Sequence, residues 1–144
     1  MTPYLALKIP NEYLHLHDAI NRVIARLPDL DLGRDEKGDK IVLSCHMLAR
    51  AIGRVFRLKV ADGHFAGRFA HSWLMTDDRM WIIDPYPVGI MPLPLIVDAG
   101  GTFTPGHILY KKGRKFCKLL SFSSIEFRRS VKLLVREIRK IVAS

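Results

Sequence analysis

The chain has 144 residues, 49% of them apolar and 26% charged, which suits one ordinary domain with a buried core and excludes a multidomain machine, global disorder, a collagen-like repeat and a coiled-coil rod. Two cysteines, Cys45 and Cys117, are too few for a disulfide-stapled secreted scaffold, no apolar run approaches the roughly 20 residues of a membrane span, and Met1 to Pro10 lacks the make-up of a signal peptide, so a cytoplasmic, reducing setting is expected. The formal net charge of +9 is lopsided: residues 1–100 carry 12 Lys+Arg against 12 Asp+Glu, and residues 101–144 carry 11 against 2.

In chain order, Leu16, Ala19, Ile20, Val23, Ile24 and Leu27 fall at helical spacing and Pro28 supplies a stop, which predicts an amphipathic helix over His15–Leu27. The charged, glycine-bearing stretch Gly33 to Lys40 reads as an exposed loop. Ser44 stands ready as an N-cap for the apolar run that follows, so a buried helix is expected to begin at or near Cys45. Arg57–Val60, Phe65–Leu74 and Arg79–Asp84 are rich in branched and aromatic residues. With turns at Ala61-Asp62-Gly63 and Thr76-Asp77-Asp78 they suggest an antiparallel meander, His64 being a loop residue.

Pro85 to Pro105 holds five of the eight prolines and reads as ordered, apolar and irregular, with Asp98 in a turn; a further hairpin is expected around Ile108–Phe122. Ser123 and Glu126 have the spacing of a capping box, and Phe127, Val131, Leu134, Val135, Ile138, Ile141 and Val142 then mark one face of a last helix over about 123–142. No repeat or linker divides the chain, so residues 1–144 read as one α+β domain. In it the Cys45 helix packs on a small antiparallel sheet, flanked by the first and last helices.

Three residues of the middle third belong together chemically. Cys45 opens a helix, whose N-terminus favours a thiolate; His71 lies on a following strand and can pair with the sulfur; Asp84 ends the next strand and can fix the imidazole tautomer. A hairpin turn centred between Asp77 and Asp78 sets His71 directly opposite Asp84 on one face, and Trp73 beside it opposite Ile82, an apolar wall that excludes water. No cofactor is expected. Cys45, His46, His64, His71 and Asp84 include metal-ligand types, but without a Cys-x-x-Cys or His-x-x-x-His spacing no metal site is predicted.

The order of a cysteine opening a helix (SCHMLARAIGRVF), a strand (FRLKV), then HSW at 71–73 and WIIDP at 81–85 resembles the core of the transglutaminase-like superfamily of papain-like thiol enzymes. The resemblance covers residues 41–87, roughly a third of the chain. It implies a papain-like core with a Cys45, His71, Asp84 triad, and a thiol-dependent acyl-transfer activity on an amide bond of a protein or peptide, of peptidase, amidase, deamidase or transglutaminase type.

Such chemistry needs an oxyanion hole, for which the Cys45 backbone N–H is one donor. Asn11, Tyr13, His15, His17 and Asn21 are the upstream candidates for the second. Trp73 and Trp81 are candidate substrate contacts, either of which could be plain core. His46 reads as pointing elsewhere on its helix, and Cys117, in a basic stretch, as an unpaired thiol. On the last helix Arg128, Arg129, Lys132, Arg136, Arg139 and Lys140 lie opposite the apolar stripe. They form a solvated face or a dock for an acidic partner. Nucleic acid or an anionic membrane ranks lower, since no aromatic residue is interleaved there for base stacking.

Overall fold

The computed structural model describes residues 11–27, 31–85, 95–98, 110–113 and 124–144, the segment 95–98 as backbone. A 3₁₀ turn, Asn11–Tyr13, leads into α1, Leu14–Arg26, within one residue of expectation at each end. Its apolar stripe buries Ile20 and Val23 completely. Helix α2 is Cys45–Phe56, and the Ser44 hydroxyl accepts the Met47 N–H at 3.3 Å, the N-cap read from the sequence. Helix α3 is Ile125–Ala143, capped by Ser124, whose hydroxyl accepts the Phe127 N–H at 3.1 Å. The cap therefore falls one residue after Ser123, which lies outside the described residues, and Glu126 sits too early in the helix to complete a capping box.

Five antiparallel strands, β1 Lys59–Phe65, β2 Phe69–Met75, β3 Trp81–Asp84, β4 Leu95–Asp98 and β5 Tyr110–Lys112, form one sheet in the order β4-β3-β2-β1-β5. The described residues thus have an α+β architecture in which α2 lies between the sheet and α3. Leu48 and Ile52 of α2, Leu74 and Ile83 of the sheet, and Leu134 and Ile138 of α3 share one core with Ile20 and Val23 of α1. Gly53 permits the close seating of α2, because a Cβ there would stand 3.0 Å from both the Leu58 carbonyl and a Leu74 methyl. Among the described residues no helix is long and apolar enough to cross a membrane.

Three expectations need correction. Ala61-Asp62-Gly63 is not a turn but the middle of β1, which also carries His64; the chain reverses at Ala66 and Gly67, both at positive φ. The residues have turn chemistry for other reasons. Asp62 is a buried carboxylate with side-chain partners, and Gly63 lies so close to β5 that a Cβ would overlap the Lys111 carbonyl. Next, the β2–β3 turn is centred one residue later than expected: Thr76 N–H reaches the Trp81 carbonyl at 3.1 Å, and Arg79 occupies the left-handed position at φ 60°. The pairing is accordingly Leu74↔Ile83 and Met75↔Ile82, a slip of two. Since side chains alternate with period two, His71 and Asp84 stay on one face, diagonal rather than opposed, and Trp73 takes the place opposite Asp84.

The third correction concerns the proline-bearing stretch, where Leu95–Asp98 is a strand and Asp98 pairs with Trp81 instead of turning. Its other residues, 86–94 and 99–105, lie outside the described residues. Of the expected Ile108–Phe122 hairpin only 110–113 are described, and there Tyr110–Lys112 extends the sheet by pairing with β1 across Gly63–Phe65.

Candidate active site

Cys45 stands at the first turn of α2 with its sulfur toward β2. Strand β3 pairs with β2 at Leu74 and Met75, and further along β2 the Ser72 N–H hydrogen-bonds the Cys45 side chain instead. The residue is a free thiol, 9% exposed. Burial pushes that thiol up, but hydrogen bonds from His46 and His71, the charge of His46 and the Ser72 N–H outweigh it and bring it down to about 6. The exposed N–H groups of a helix start act in the same direction.

His71 is 2% exposed and is gripped by aromatic rings: Phe65 meets it edge-on at 5.8 Å and Trp73 lies nearly parallel at 6.1 Å. Its Nε2 is 2.7 Å from Asp84 Oδ2, and the same oxygen accepts the Tyr110 hydroxyl at 2.8 Å. With Nε2 engaged, Nδ1 is the ring nitrogen left to bond the sulfur. Burial pulls the imidazole down, yet the hydrogen bonds to Asp84 and Cys45 and their charges prevail and raise it to about 9. Burial first, then the Asp84 charge and hydrogen bond, push the Tyr110 hydroxyl far above its ordinary range, so it remains a donor. The sequence-derived set Cys45, His71 and Asp84 is therefore assembled in one place, and Tyr110 joins it from a strand that sequence spacing did not connect.

Of the tryptophans, Trp73 is in the site and Trp81 is not. Trp73 is 2% exposed, and its Nε1 is a buried donor with no hydrogen-bond partner among the described residues. Trp81 begins β3, about 10 Å along the strand from Asp84, and packs on the helical side of the sheet with Tyr13 at 6.0 Å. Tyr13 also hydrogen-bonds Thr76, at the turn end of the hairpin, far from an oxyanion formed at Cys45. Asn11, His15 and Asn21 are exposed and His17 pairs with Asp18 at 3.8 Å.

His46 does not point away. Its Nδ1 is 2.7 Å from Ser72 Oγ, Ser72 donates to Asp62 Oδ1 at 2.6 Å, and Arg50 Nη2 is 2.8 Å from Asp62 Oδ2. Four residues from α2, β1 and β2 thus form a polar chain, buried at Asp62 and Ser72 and half-buried at His46 and Arg50, that ends on the residue beside Cys45. Nothing in their spacing announces it, because the contacts join strands and helix across the sheet. Cys117 lies outside the described residues. Among those described, no group of three or more His, Cys, Asp or Glu is arranged to hold a metal ion.

No family model matches this chain, and neither a curated protein nor a solved structure matches it.

Proposed function

We propose that the protein is a thiol-dependent acyl-transfer enzyme acting on an amide bond, built on a papain-like core of the transglutaminase-like kind. The observation that carries this reading is the ordered line of Cys45, His71 and Asp84, with the imidazole held through Nε2 so that Nδ1 serves the sulfur. The Cys45 thiolate attacks the carbonyl carbon, and the oxyanion meets the Cys45 N–H at the helix start. The His71 imidazolium gives its Nδ1 proton to the departing amine as the C–N bond breaks, leaving a thioester. Neutral His71 then takes a proton from the incoming nucleophile, which displaces the sulfur as thiolate. Water makes the cycle a peptidase, amidase or deamidase reaction; an amine makes it a transfer. The proposed substrate is a protein or peptide, in a cytoplasmic setting.

Iodoacetamide labelling followed by peptide mass analysis tests the nucleophile. Cys45 is expected to be alkylated well below about pH 8 and faster than Cys117, despite its burial. Equal, slow labelling of both thiols would remove the enzyme reading.

A second reading, docking of an acidic partner, is favoured by the α3 surface. Arg128, Arg129, Lys132, Arg136, Arg139 and Lys140 are all exposed. Arg54 of α2 joins Lys132, Arg136, Arg139 and Lys140 around a groove of about 600 Å³. Because the other face of α3 is core, charge reversal rather than truncation isolates this role. Retention on immobilised polyglutamate should fall steeply with salt and vanish in Arg136→Glu/Arg139→Glu. Retention indifferent to both would exclude it.

A further inference from the structure

The polar chain behind His46 has a direction. A serine hydroxyl has one proton, and Ser72 gives it to Asp62 at 2.6 Å. Toward His46, at 2.7 Å, its oxygen can then only accept, so the imidazole carries a proton on Nδ1. Arg50 closes the arrangement, donating to Asp62 at 2.8 Å, to Ser72 Oγ at 3.3 Å and to the His46 carbonyl at 3.2 Å. Ser72 is fully buried and Asp62 is 4% exposed. A buried ion pair of this kind is weak as a source of stability, and the Cys45–His71–Asp84 chemistry leaves it without a part. His71 and Ser72 are adjacent on β2 and point to opposite faces, so the two chains approach Cys45 from different sides.

We propose that His46 is a second catalytic imidazole, anchored by Ser72, Asp62 and Arg50, that hydrogen-bonds the Cys45 sulfur and shares with His71 the stabilisation of the thiolate. The inference rests on Cys45 being the nucleophile. With Nδ1–H committed to Ser72, Nε2 is the ring nitrogen left for the sulfur: a proton passed to it from the thiol leaves a thiolate beside an imidazolium, with Asp62 as the counter-charge one hydroxyl away. The work is thereby divided: His71, backed by Asp84, moves the proton to the leaving group, while His46 stays on the sulfur. Among the described residues, the charged and titratable groups around the thiol are His46 and Arg50 from its own helix, His71 from β2, Asp84 from β3, Asp62 from β1 and Tyr110 from β5. Helix α3 contributes the Phe127 ring, 5.9 Å from the Arg50 guanidinium.

The rate of Cys45 alkylation by iodoacetamide against pH separates the two histidines. In the unaltered protein the midpoint should lie near 6. His46→Asn should raise it by about one unit and slow labelling by about tenfold at about pH 5, below both midpoints, where the thiolate population falls tenfold for each unit. His71→Ala should leave a midpoint still below that of an ordinary thiol, and the double variant should reach or exceed the ordinary value. A His46→Asn midpoint equal to that of the unaltered protein, or a His71→Ala variant that already shows the whole rise, overturns the proposal. If His46→Asn does not fold, Ser72→Ala, which removes the anchor and little volume, should raise the midpoint in the same direction; no rise there overturns it equally. An ordinary midpoint in the unaltered protein would instead strike down the nucleophile reading itself, so the two failures are distinct.

Discussion

Asp84→Ala should lower the stability of the fold by about 3–5 kcal/mol, the range found when one partner of a buried ion pair is removed. Asp84 and His71 are 1% and 2% exposed, and the substitution also strips Tyr110 of its acceptor. The raised imidazole gives the loss a pH signature. His71 is at about 9 in the fold against an ordinary 6.5, so its contribution is full below about 6.5 and is lost as pH rises through about 9. The gap between the variant and the unaltered protein should narrow across that window. Denaturant unfolding at several pH values checks this, and a variant within about 1 kcal/mol at every pH would mean that the pair is not a buried ion pair. Asp84→Asn keeps an acceptor oxygen and should recover part of the loss while leaving His71 without its counter-charge.

Cys45→Ser should depress the proposed acyl transfer by about 10⁴-fold or more, since a member of the proposed nucleophile–base unit is removed while the pocket is kept. A p-nitrophenyl ester is a suitable probe: the unaltered protein should gain one acyl group on Cys45 by intact mass, and the serine variant none. The pH dependence follows from the signs of the two shifts. Below about 6 the sulfur holds its proton and cannot attack. Above about 9 His71 has no proton to give an amine leaving group. Amide turnover should therefore be bell-shaped between those limits. A p-nitrophenolate needs no proton to depart, so ester acylation should show the acid limb and lack the alkaline one. An amide rate that keeps climbing like an ordinary thiol would contradict the ion pair.

Local signals served the helices well. Ser44 and the apolar positions behind it placed the start of α2 at Cys45, because capping and helical periodicity act over a few neighbouring residues. The face shared by His71 and Asp84 was legible for a related reason: an error of one residue in the turn centre moves the register by two, and two is the period of a strand. Failures came where distant segments meet. Asp62 and Gly63 have the composition of a turn, yet one serves Arg50 and Ser72 and the other makes room for Lys111. Tyr110 could not be connected to Asp84, nor His46 to Ser72, by any spacing, since each pairing is created by strand order rather than by neighbours in sequence. Trp81 lies in the same short motif as Asp84 but three positions along, on the opposite face and at the far end of the strand.

Helix α2 is seated on α3, and all five strands lie between them in sequence. The seam between these two helices waits until that long intervening segment has closed, a step whose entropic cost is borne before its contacts form. Of the groups that act on the sulfur, His46 shares its helix, while the Ser72 that anchors His46, and His71 with Asp84 and Tyr110 behind it, arrive with the sheet. A half-folded chain therefore holds a mild thiol. On the proposed function, the sulfur's full reactivity is thus tied to the finished sheet, which spares an incompletely folded chain from losing it to stray electrophiles.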